Sequence, residues 1–235
     1  MIEKYYNGVI EQVAGGIGNV EHNSILVRYS NDFSIWDLES VNHYKDQTDI
    51  FFTCHEFSYN KIAEAYEPYL GLIRQMFHKY CSGTLEEFME ECDVYKLQRP
   101  VFESYFEKGF CERTEQILID EVEYEQERMH SSIVTMLQKL SEICPIVIVL
   151  NRFQLASKST MQLTNRLLQT KNKNIGIVLG VNDVQSIPEF AHEEWDAICE
   201  SMDDRNMVYH IGNAGRNMEP DVICLLYTSP SPRDA

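Results

Sequence analysis

Two runs, Ile146-Val-Ile-Val-Leu150 and Ile175-Gly-Ile-Val-Leu-Gly-Val181, are apolar or glycine at every position. A strand with one wet face alternates polar and apolar residues, whereas a parallel strand covered by helices on both sides does not. These runs therefore predict buried strands of a parallel sheet. Three more β-branched or aromatic runs, at 24–29 (SILVRY), 49–54 (DIFFTC) and 207–211 (MVYHI), predict the rest of it. Helical patterns lie between them, and alternation of strand and helix implies an α/β fold.

Residues 36–41 belong to the first helix after strand one. Pro68 suits a first helical position, with Tyr69, Ile73, Met76, Phe77 and Tyr80 recurring at helical spacing. Thr114 can cap a long helix that carries Met129, Ile133, Met136, Leu137 and Leu140 on one face; its Glu-rich first half (Glu121, Glu123, Glu125, Glu127) reads as solvated. Ser157 or Ser159 can cap the helix holding Leu163, Leu167 and Leu168. Pro188 opens a helix with Ala191, Trp195, Ile198 and Met202 inward.

The segment from 56 to 144 is far longer than a crossover needs and is helical throughout, so it predicts a helical insertion. Its aromatic residues (Tyr80, Phe88, Tyr95, Phe102, Tyr105, Phe106, Phe110) read first as core, with a partner-binding groove as the alternative.

At 235 residues and 44% hydrophobic, the chain can bury one sizeable core. A net charge of −17 argues against nucleic acid and against anionic membrane surfaces as partners. No apolar stretch approaches the roughly 18 residues of a membrane span, and the start shows no apolar signal region, which points to the cytoplasm. Seven dispersed cysteines, none in CxxC spacing, read as reduced thiols rather than a disulfide framework or a zinc site. Cys54-His55-Glu56 are adjacent on an expected strand, where neighbours point to opposite faces, so no metal site is expected there. Cys54 with His55 or His210 is a thin candidate for a thiol–imidazole pair. No Gly-x-Ser-x-Gly elbow or HExxH helix occurs, which leaves an unrelated α/β hydrolase without a motif.

The strongest signal follows the third strand. Asn151-Arg152-Phe153-Gln154-Leu155-Ala156-Ser157-Lys158-Ser159-Thr160-Met161-Gln162-Leu163 resembles the Walker B region of signal-transducing, AAA+-related (STAND-type) P-loop ATPases. In that family an apolar strand is followed by two acidic residues, an apolar–polar–aromatic step, Ala, Asp and then Ser/Thr. Ala156, Ser159, Thr160 and Leu163 match, while Asn151 and Arg152 stand where the acidic pair belongs. Ala65-Tyr66-Glu67-Pro68-Tyr69-Leu70 is similar to the family's segment after strand two, and Ile177-Val-Leu-Gly180, with Val181 and Asn182 near the sensor position, to its fourth strand. The resemblance spans 24–211.

It implies a three-layer P-loop NTPase-like core with a five-stranded, mostly parallel sheet of order 5-1-4-3-2, and a phosphate cradle, G-x-x-x-x-G-K-[ST], after strand one. Here that stretch is Tyr29-Ser-Asn-Asp-Phe-Ser-Ile-Trp36. Tyr29 and Ser34 replace the two glycines, Ile35 the lysine and Trp36 the magnesium-binding hydroxyl. An ATPase needs a carboxylate for magnesium and another to position water. Ser30, Asn31, Ser34, Ile35, Trp36, Asn151 and Arg152 are thus degenerate Walker positions, no residue is assigned as catalytic, and no cofactor is expected. The upstream Ala14-Gly15-Gly16-Ile17-Gly18 precedes a strand and lacks a lysine, so it reads as a flexible connector.

The sequence divides into an N-terminal helix and connector (1–23), a degenerate AAA+-like domain (24–223) with the insertion at 56–144, and a tail (224–235). The tail resembles a translated transposase-type sequencing adapter and is expected to be non-native, with the natural protein continuing past Ile223. The expected function is a regulatory pseudo-ATPase module serving a protein partner or a C-terminal effector; in this family the effector is often a helical-repeat array with DNA-binding or cyclase output. The alternative is an NTPase that holds ATP and magnesium unconventionally through Ser30, Asn31 and Ser34.

Overall fold

A computed structural model describes residues 2–19, 23–29, 49–58, 65–109, 122–182, 187–203 and 208–211, with backbone alone for 2–6, 203 and 208–211. Residues 36–41, Phe110, Thr114, Glu121 and the tail lie outside the described residues.

The expected strands form. β1 (Ser24–Tyr29), β2 (Phe51–Glu56), β3 (Ile146–Asn151) and β4 (Ile175–Asn182) make a parallel sheet in the order β2-β3-β4-β1. The backbone of a short β5 (Val208–Ile211) pairs parallel to the outer edge of β1. β3 and β4 are buried at every position, as their unbroken apolar runs require.

Alternate residues sort onto two faces. Ile25, Val27, Tyr29, Val147, Val149 and Val178 pack with Val9, Ile10 and Val13 of α1 (Ile2–Gly16). Leu26, Ile146, Ile148, Leu150, Ile177 and Leu179 face the other helices. These are α2 (Tyr69–Tyr80), α3 (Leu85–Glu91), α4 (Arg99–Lys108), α5 (Val122–Ile143), α6 (Lys158–Gln169) and α7 (His192–Asp203). Among the described residues the arrangement is helix, sheet, helices: an α/β fold with its core on both sides of the sheet.

The inward stripes fall where helical spacing places them. Ile73, Met76 and Phe77 of α2, Ile133, Met136, Leu137 and Leu140 of α5, and Trp195, Ile198 and Met202 of α7 are all buried. Pro68 is displaced by one position: it caps α2 from outside, its carbonyl accepting the Leu72 N–H. In the insertion, Phe88, Phe102 and Phe106 are buried and Phe77 packs against Phe88 and Phe106, so these aromatics serve the core. Tyr95 stays exposed, with the Arg128 guanidinium 5.4 Å from its ring centroid. The buried side chains of α3 and α4 join the cluster on the sheet face.

The reading of 14–18 as a flexible connector is corrected. Ala14, Gly15 and Gly16 form the last turn of α1, because Val13 and Ile17 seat that turn on the sheet. The chain leaves it through Gly18, at φ 97°, whose N–H donates to the Lys173 carbonyl at 2.8 Å. A positive φ suits glycine.

Ser157, not Ser159, caps α6, its hydroxyl accepting from the Thr160 N–H at 3.3 Å. Losing such a cap costs about 1 kcal/mol. Ser157→Ala should therefore lower unfolding stability by about that amount in urea titrations, and Ser157→Asp should retain it.

Candidate functional site

In open parallel sheets, ligands bind beyond the carboxyl ends of the strands. Here that edge is formed by Tyr29, Glu56, Asn151 and Asn182, the last residues of β1 to β4.

Asn151 is fully buried. Side chains alternate along β3, so Asn151 points to the same face as Val147 and Val149, the face that Tyr29 also occupies. The Tyr29 hydroxyl donates to Asn151 Oδ1 at 2.5 Å, reaching across the end of the intervening β4. The Asn151 carbonyl accepts the Phe57 N–H at 3.0 Å.

Arg152 takes a left-handed backbone conformation, φ 52° and ψ 42°, which turns the chain sharply out of β3. Its Nε lies 3.2 Å from Glu56 Oε1 on the neighbouring strand end, and both side chains are largely buried. Glu56 and Asn151 stand opposite one another in the register. The one carboxylate among these four strand-terminal residues is thus paired with the arginine.

Gln154, fully buried in the 3-10 turn Phe153–Leu155, accepts the Asn182 N–H on Oε1 at 3.3 Å. This fastens the end of β4 to the loop after β3. Phe153 fills the space beneath, 6.1 Å from the Phe57 ring and 6.4 Å from Trp195.

Asn151 and Arg152 therefore lie at the carboxyl edge, as expected, while Ser30, Asn31, Ser34, Ile35 and Trp36 lie outside the described residues. Sequence reasoning missed Glu56 and Gln154 as members of this edge and the direct bond from Tyr29 to Asn151. The apolar pattern could have flagged Asn151, a single amide at the end of an otherwise unbroken apolar run.

Among the described residues of this edge, Asn151 is a neutral amide held by a tyrosine, and Arg152 is a cation paired with a glutamate. Among the described residues no group of three His, Cys, Asp or Glu is arranged to hold a metal ion.

Cys54 packs on the α1 face, whereas His55 lies edge-on to Phe57 at 4.5 Å. Alternation thus sends the two to opposite faces and rules out their pairing. His210 belongs to β5 at the far edge of the sheet from β2. Four strand spacings of about 4.8 Å separate those edges by roughly 19 Å, so Cys54 and His210 cannot meet. No helix among the described residues is long and apolar enough to cross a membrane.

No family model matches this chain, and neither a curated protein nor a solved structure shows significant similarity to it.

Proposed function

We propose that this chain is a regulatory pseudo-ATPase module with a P-loop NTPase-like core of AAA+, signal-transducing type, acting as a scaffold for a protein partner or an effector domain. The observation that carries the proposal is the closed pairing at the carboxyl edge. Asn151 is hydrogen-bonded to Tyr29, and Arg152 forms an ion pair with Glu56, where the resemblance expects a metal-holding and a water-positioning carboxylate.

A single substitution could be compensated from elsewhere, but here the replacements come with partners that occupy them. The Tyr29 ring, at the position of the first cradle glycine, is buried in the α1 face of the sheet. Freeing Asn151 or Arg152 for a ligand would break a buried hydrogen bond or a largely buried ion pair, and leaving a buried polar group unmade costs about 1–3 kcal/mol.

Steady-state hydrolysis of magnesium-ATP tests this reading. The chain should turn over no faster than buffer, and Ile35→Lys with Trp36→Thr should leave it there, because the acidic pair after β3 is still absent. Turnover by the unmodified chain, abolished by Asn151→Ala, would overturn the proposal.

A further inference from the structure

His130 of α5 is buried, at 5% exposure, and its Nε2 has no hydrogen-bond partner. The ring meets that of Tyr66 edge-on, with centroids 5.5 Å apart. Tyr66 belongs to residues 65–68, which lead into α2, and holds a left-handed backbone at φ 63°. An L side chain adopts that conformation at a cost, so contacts rather than local preference keep the segment in place. Thr160, in the first turn of α6, supplies a second contact by donating its hydroxyl to the Glu67 carbonyl at 3.1 Å. Residues 65–68 are thus tied to α5 through the imidazole and to α6 through a hydroxyl.

A cationic imidazole donates from both ring nitrogens, whichever tautomer it has when neutral. Protonating His130 in place would set a donor at Nε2 with no acceptor among the described residues. It would also set a charge where burial disfavours one.

The neighbouring charges do not relieve that cost. On α5, Glu127 lies one turn before His130, but its carboxylate is paired with the Arg166 guanidinium of α6. That guanidinium also donates to the Ser131 hydroxyl at 3.1 Å, which fixes a cation beside the ring. Glu123 of α5 and Glu193 and Glu194 of α7 lie along the cleft between α5, α6 and α7, and Glu194 is held by Lys158 and Gln162. Residues 65–68 contribute one carboxylate, Glu67, to this junction. Burial, and then the Arg166 charge, hold the imidazole below its ordinary value, against the opposing pull of Glu127 and of the Ser159 backbone. The closed junction therefore favours the neutral ring.

We propose that His130 is an acid-sensitive latch, and that its protonation releases residues 65–68 from α5 and from the first turn of α6. An opened junction returns the ring to water, where it binds a proton more readily, so acid favours opening. The latch holds above the ordinary imidazole value of about 6.5 and weakens as the pH falls below it. This inference is independent of the pseudo-ATPase reading.

Hydrogen exchange of the full chain, corrected for the intrinsic pH dependence of exchange, tests it. The Tyr69 and Leu72 amides donate to the Tyr66 and Pro68 carbonyls at 2.8 and 3.0 Å. Their protection should fall about fivefold between about pH 7 and about pH 5.5, while the amides of β3 keep theirs. His130→Phe retains a ring against Tyr66 but takes no proton, and its protection there should change less than about twofold. His78→Gln, at an exposed histidine of α2, should respond as the unmodified chain does.

In the unmodified chain, the His130 ring resonances should titrate below about pH 6.5, in step with the loss of protection. That measurement keeps the proposal testable if His130→Phe does not fold. Three results would overturn it: titration of His130 at or above the ordinary value, unchanged protection of Tyr69 and Leu72 in the unmodified chain, or the same acid response in His130→Phe.

Discussion

Phe153→Ala should destabilise this protein by about 3–5 kcal/mol, the range for emptying a buried phenylalanine site. The ring is fully buried directly after β3, between Phe57 and Trp195. Those neighbours come from the end of β2 and from α7, which the sheet and the helix packing hold in place, so the void cannot collapse cheaply. The adjoining contacts at the carboxyl edge, Gln154 to Asn182 and Arg152 to Glu56, should loosen with it. Guanidinium unfolding of the variant, followed by circular dichroism, measures the loss. A change under about 1 kcal/mol would show that Phe153 is not the packed floor described here.

Gly176→Val should be nearly as damaging, for the opposite reason. Even a Cβ at Gly176 would stand 2.8 Å from Val13 Cγ1, 2.9 Å from the Asn23 carbonyl oxygen and 3.3 Å from Ile17 Cδ1. A Val13 rotamer can give way, but Asn23 cannot. Its carbonyl accepts the Ile177 N–H, and its side chain donates to the Asn172 and Ile175 carbonyls. Relief therefore requires both lifting α1 from the sheet and shifting the backbone at Asn23, just before β1. Overpacking of this kind costs about 1–3 kcal/mol and more where backbone is struck. Gly176→Ala should show a smaller loss in the same direction, and hydrogen exchange should localise the effect to α1. Wild-type stability for Gly176→Val would contradict the close docking of α1.

The sheet was legible in the sequence because its signal is local. A run such as Ile146-Val-Ile-Val-Leu150 specifies a doubly covered strand without reference to anything distant. The helices were legible for the same reason, since Tyr69, Ile73, Met76 and Phe77 repeat at a helical period. The edge chemistry was half legible: Asn151 and Arg152 were identified by position, yet their partners Tyr29 and Glu56 are set by strand order, which composition and period do not reveal. The Tyr29–Asn151 bond joins residues 122 apart.

The connector reading at Gly15 and Gly16 failed because glycines before a strand need not be loop; here they form the last turn of α1. A docked amphipathic face, Val9, Ile10, Val13 and Ile17, outweighs the cost of helical glycine, roughly 1 kcal/mol per residue. The Glu-rich start of α5 reads as solvent-facing, since carboxylates on a helix usually are, and Glu123 and Glu127 are exposed. That they share a stripe with His130 at a cleft beside α6 and α7 depends on tertiary packing alone.

Direct binding of nucleotide is the most direct measure of the central claim. Hydrogen bonds to charged groups contribute about 1.5–3 kcal/mol each, so loss of the cradle lysine and the metal-holding groups should remove on the order of 5 kcal/mol of affinity. At about 1.4 kcal/mol per tenfold, a micromolar site becomes one of several millimolar or weaker. Isothermal calorimetry of the chain with magnesium-ATP should show no binding heat below the millimolar range. Saturable micromolar binding, weakened by substitution of Ser30, Asn31 or Ser34, would contradict the pseudo-ATPase account and establish a nucleotide site of another design.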